Sequence, residues 1–80
     1  MNATSANAQS VLQGRVRGIC AERRITATEI APSLNLSATA FMNKKNGNRN
    51  FTVNELVRLA DIFDVSVDYL LGRDDDVIRR

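Results

Sequence analysis

Between Glu29 and Glu55 the chain carries no carboxylate, and that interval holds the residues best suited to chemistry with a polyanion. Asn43 offers a donor and an acceptor on one side chain. That pair can grip an adenine edge at two points, worth about 1–3 kcal/mol of discrimination. Ala38, Thr39 and Met42 can supply methyl and methylene contacts to a thymine methyl. Lys44, Lys45, Asn46, Asn48 and Arg49 follow closely and can fix register on a phosphate backbone. The chemistry this spacing serves is recognition of double-stranded DNA. The plainer alternative is a surface helix with small residues.

Catalytic chemistry finds little support. The 80 residues contain no histidine, so neither a histidine-ligated metal nor a Ser-His or Cys-His nucleophile pair can be built. The single cysteine, Cys20, falls on an apolar stripe and reads as a small buried hydrophobe. One cysteine excludes an internal disulfide and fits a reducing cytoplasm. Asp74, Asp75 and Asp76 lack the spaced ligands of a calcium loop. Three Asn-x-Ser/Thr triplets, at Asn2, Asn35 and Asn50, are chance matches in a chain without a secretory signal. No enzyme activity, metal or cofactor is expected.

The charges are distributed unevenly. Through residue 54 seven basic residues stand against two acidic ones, a net +5; from Glu55 onward four stand against seven, a net −3. A basic front and an acidic rear fit one phosphate-facing surface, although solvated charge on a small protein gives the same count. Apolar content of 44% with 25% charge suits a globular fold, and no run approaches a membrane span.

These residues must be held by helices. Leu12, Val16, Ile19 and Cys20 recur at helical spacing and predict helix 1 over about residues 8–23, weakened by Gly14 and Gly18 by about 1 kcal/mol each. Thr26 and Glu29 form a capping box for helix 2, about residues 27–34, with Ile30, Ala31 and Leu34 on one face and Pro32 predicted to bend it. Asn35 suits a left-handed turn. Ser37 caps helix 3, about residues 38–46, anchored in the core by Phe41 and closed by Asn46-Gly47. Thr52 and Glu55 form a second capping box for helix 4, residues 53–63, whose apolar face is Leu56, Leu59, Ala60 and Phe63. Ser66 caps a short helix 5 with Tyr69, Leu70 and Leu71, ended by Gly72. Strand signals are weak. The expectation is an all-α domain over residues 10–72, with a polar leader at 1–9 and a mixed acidic and basic tail at 73–80. Two short helices joined by a tight turn are the architecture that lays its second helix in the major groove.

The run Thr26, Glu29-Ile30-Ala31, Leu36-Ser37, Phe41, Asn46-Gly47 and Arg49, followed by Leu56, Leu59-Ala60 and Phe63-Asp64-Val65-Ser66-Val67-Asp68-Tyr69-Leu70-Leu71-Gly72, resembles the Cro/lambda-repressor-type helix-turn-helix family. The likeness spans about residues 12–72. It implies a compact five-helix DNA-binding domain with the helix-turn-helix at helices 2 and 3. Such domains usually bind a palindromic operator as a homodimer, as in phage-type repressors, in a bacterium, phage or other mobile element. By position it implies that Ala38, Thr39, Met42 and Asn43 read bases, and that Thr26, Ala27, Ser37, Asn46, Asn48 and Arg49 touch or flank phosphate. Ala27 and Ala38 are shorter than the family's usual residues there. Lys44 occupies a normally apolar position, so its stem is expected to snorkel and its amine to reach DNA. Cys20 and Lys45 replace an Arg–Glu pair. Two other readings stay open: an autorepressing antitoxin that holds a toxin through the acidic C-terminal half, and a protein-interaction module that has lost DNA.

Overall fold

Five α-helices and one 3-10 turn wrap a single apolar core in the computed structural model, which describes residues 4–73. In order these are α1 (Thr4–Arg23), α2 (Ala27–Ile30), the 3-10 turn (Ala31–Leu34), α3 (Ala38–Lys45), α4 (Val53–Phe63) and α5 (Val67–Leu70). The fold is all-helical as expected, with no strand among the described residues. The expectations for Asp74–Asp76 and for Val77-Ile78 lie outside those residues, as does the start of the leader. The first helix begins at Thr4 and so runs through residues 4–9 of the segment read as a leader.

The core is the sum of the predicted stripes. Leu12, Val16, Ile19 and Cys20 of α1 meet Ile30, Ala31, Leu34, Phe41, Leu59, Ala60, Phe63, Val65 and Leu70, all buried. Phe51, from the loop after α3, completes it and packs tilted against Phe41 with ring centroids 6.1 Å apart. A fully buried aromatic such as Phe63 stabilises the fold by about 1.5–3 kcal/mol relative to an exposed one. Cys20 is 5% exposed, and burial pushes its thiol pKa up, partly offset by the charge of Lys45. It is a packing residue.

Pro32 does not bend an α-helix; it changes the helix type. The Ala31 N–H still bonds the Ala27 carbonyl, but from there the chain tightens into the 3-10 turn, with Pro32 in its first positions where a missing N–H costs least. Asn35 then turns left-handed at φ 58°, and its N–H closes onto Ala31 and Pro32. The Leu36 N–H bonds the Ala31 carbonyl at 3.0 Å, while Ser37 Oγ accepts the Ala40 N–H at 3.0 Å to start α3. The expected helix–turn–helix is therefore built from a one-turn helix, a 3-10 turn and α3. α3 packs against both α2 and α1; α4 packs against the 3-10 turn and α5.

Arg24 and Asp64 also adopt φ 58°, each ending its helix in a left-handed residue without glycine. Gly72 has φ 78°, and a Cβ there would lie 2.7 Å from Val11 Cγ1. Glycine is needed at position 72 on both counts.

Candidate nucleic-acid interface

The α3 surface departs from ordinary protein surface in what its side chains leave unbonded. Ala38, Thr39, Met42, Asn43 and Asn46 together line a shallow concavity of about 330 Å³. Thr39 and Asn46 are exposed, Met42 is 42% exposed, and Ala38 and Asn43 are half-buried. The four residues expected to read bases thus share one face, and Asn46 joins them. Asn43, Asn46, Asn48 and Arg49 make no side-chain hydrogen bond or ion pair among the described residues. Because Asn43 is half-buried with its amide unpaired, it is oriented by packing yet open to a new partner.

At the start of α3, Ser37 Oγ and the Ser37 carbonyl take the N–H groups of Ala40 and Phe41. The amides of Ala38 and Thr39 have no intrahelical acceptor by helix geometry, an arrangement suited to an anion. Thr26 is exposed at the start of α2, but both halves of its capping box are closed. Its N–H donates to Glu29 Oε1 at 2.8 Å, and its Oγ1 accepts the Glu29 N–H at 3.2 Å. Ala27 is half-buried against the core and offers the solvent side little more than its backbone.

Lys44 differs from expectation. Its ammonium turns inward, donating to Glu55 Oε1 at 2.7 Å and Oε2 at 2.8 Å, and its side chain is only 12% exposed. The physical reason is Glu55, which is 8% exposed and already accepts the Thr52 N–H at 2.9 Å. A carboxylate buried that far needs a counter-charge, and Lys44 is one helix end away. Burial alone would raise the Glu55 carboxyl; the bonds from Lys44 and Thr52 and the ammonium charge outweigh it and hold the pKa below the ordinary carboxylate value. In this structure the Lys44 ammonium is therefore engaged with Glu55 and not presented beside the exposed Asn48 and Arg49. Its pairing also neutralises the carboxylate that borders the α3 face in sequence. Lys45 is half-buried, and its charge is felt at Cys20, so the two positions where the resemblance implies an ion pair do lie near each other.

The loop after α3 is held by residues that sequence reasoning passed over. Gln9 Oε1 accepts the Phe51 N–H at 3.1 Å, and Gln9 Nε2 donates to the Phe51 carbonyl at 3.0 Å. Gln13, 6% exposed, donates to the Arg49 carbonyl at 2.9 Å, and Arg17 donates to the Lys45 carbonyl at 2.6 Å. The signal was present as polar residues at i, i+4 and i+8 beside the apolar stripe of α1, but nothing in the sequence names their acceptors.

Comparison with known proteins agrees with this geometry at the level of family. A model of the BetR domain matches residues 4–78, nearly the whole chain. Comparison with curated proteins and with solved structures found no match. The match does not single out the Cro and lambda-repressor type. A helix-turn-helix fold, an unpaired polar face on α3 and a match over this length lead to one conclusion: the chain belongs to the BetR domain family, a helix-turn-helix-like family of transcription regulators.

Proposed function

We propose that this chain is a sequence-specific DNA-binding transcription regulator of the phage-repressor type, which lays α3 in the major groove of a palindromic operator as a homodimer. The observation that carries this reading is the α3 face itself. Thr39, Met42, Asn43 and Asn46 lie together with no carboxylate among them, and the asparagine amides have no partner among the described residues. An unpaired amide at the surface costs little in water and gains most against a base edge. Ser37, Asn48 and Arg49, all exposed, flank that face and meet the phosphates, so backbone contacts set register while Asn43 and the methyl groups read sequence. With so short a set of readers, DNA shape contributes to specificity. The protein acts by binding, without catalysis or cofactor, in the cytoplasm.

Selection of bound sites from random duplex DNA tests the proposal. The expected result is enrichment of an inverted repeat with half-sites about 34 Å apart, one helical turn. Recovery of random sequence with no enriched motif contradicts it. Among the described residues, no helix is long and apolar enough to cross a membrane.

A further inference from the structure

Gln9, Gln13 and Arg17 recur every fourth residue and so form one stripe along α1. Each meets the main chain at a successive point of the segment leaving α3: Phe51 for Gln9, the Arg49 carbonyl for Gln13, and the Lys45 carbonyl for Arg17. From the other side, Glu55 holds the Thr52 N–H and Lys44 at once. The N–H groups of Asn46, Gly47, Asn48 and Arg49 fold back onto carbonyls of Met42, Asn43 and Lys44. Every N–H from Asn46 to Thr52 except that of Asn50 is thus bonded, as are the carbonyls of Lys45, Arg49 and Phe51, while the side chains of Asn48 and Arg49 are exposed and unbonded.

We infer that the α1 stripe is a positioning device for DNA contact, with Gln13 as its principal positioning residue. By holding the Arg49 carbonyl it fixes where the Arg49 guanidinium and the Asn48 amide stand relative to the α3 face. A glutamine suits the task. Its amide is uncharged, so it can sit 6% exposed at far lower cost than an ion, and it still donates to a carbonyl. A loop already held in its bound form loses less conformational freedom on binding, which raises affinity without any new contact to the ligand. The inference rests on the DNA-binding reading above.

The test is a salt titration of binding to random-sequence duplex DNA by the full chain, its Gln13→Leu and Arg49→Ala variants, and the double variant. Thermal melting is followed by circular dichroism in parallel. Leucine keeps the bulk and removes the donor. The expected result is a folded Gln13→Leu protein with affinity reduced about two- to tenfold. Its salt slope falls by about one unit, as for Arg49→Ala. In the double variant Gln13→Leu adds little to the loss from Arg49→Ala, because both act through the same contact. An unchanged salt slope, or losses that multiply in the double variant, overturns the inference and leaves Gln13 as packing alone. Should Gln13→Leu not fold, Gln9→Leu, which breaks both bonds to Phe51, is read by the same criteria. A wild-type chain that binds no duplex even at low salt overturns the DNA-binding reading and this inference with it, an outcome distinct from the others.

Discussion

The same four-residue pattern, a threonine followed three positions later by a glutamate, begins both α2 and α4. Locally the two are nearly superimposable in their bonds. Thr26 and Glu29 exchange hydrogen bonds of 2.8 and 3.2 Å; Thr52 and Glu55 exchange bonds of 2.9 and 3.1 Å. Their surroundings differ. Glu29 is exposed and serves its own helix. Glu55 is 8% exposed and takes both bonds from Lys44, so it caps α4 and fastens the end of α3 to it. One motif thus starts a helix in one place, and in the other starts a helix while holding the candidate reading helix in position. The difference comes from burial: a carboxylate in water needs no partner, and one packed between helices does.

Substitutions at the two glutamates should separate these roles, and the largest effect falls at Glu55. Glu55→Ala removes the cap and leaves the Lys44 ammonium unpaired with its side chain 12% exposed. We expect a loss of about 3 kcal/mol in chemical denaturation. A loss under 1 kcal/mol means that the ion pair contributes nothing beyond the cap. Acid gives a smaller, graded version of the same perturbation. Because the folded Glu55 carboxyl is held below its ordinary pKa, its contribution is fully present above the unfolded value and is lost as pH falls through the folded value. Denaturation midpoints should therefore fall as the pH is lowered through and below the ordinary carboxylate range, and Glu55→Gln should flatten that part of the profile. The smallest effect belongs to Glu29→Ala, about 1 kcal/mol, the value of an exposed capping partner. Equal losses at Glu29 and Glu55 would erase the distinction.

The same contrast explains how much of the molecule was legible in its sequence. Caps are local, so Thr26, Ser37, Thr52 and Ser66 mark helix starts that the structure reproduces at Ala27, Ala38, Val53 and Val67. Apolar stripes are nearly as local, and Leu12, Val16, Phe41, Leu59 and Phe63 are all buried as their spacing predicts. Contacts between distant segments carry no such signature. Lys44 read as a cation free to snorkel outward, because nothing near it in sequence shows that Glu55 would be brought beside it. Gln9 and Gln13 drew no reading from the sequence, although they bond segments 42 and 36 positions away. The left-handed ends at Arg24 and Asp64 were missed for a different reason: both residues are exposed, and each helix closes through a local backbone bond, from the Ile25 N–H to the Cys20 carbonyl and from the Val65 N–H to the Ala60 carbonyl, at a position where glycine is the usual signal. For the candidate interface, the face formed by Ala38, Thr39, Met42 and Asn43 follows from helical spacing. The closed loop beside it follows only from the fold.

Reading by α3 is the central claim, and Asn43 tests it most directly. Sites selected from random duplex DNA by the wild-type chain and by Asn43→Ala should yield the same motif, with preference relaxed at one base position in each half-site and about 1–3 kcal/mol of discrimination lost there. An Asn43→Ala protein that binds every sequence more weakly by one common factor would contradict the claim and make Asn43 a backbone contact.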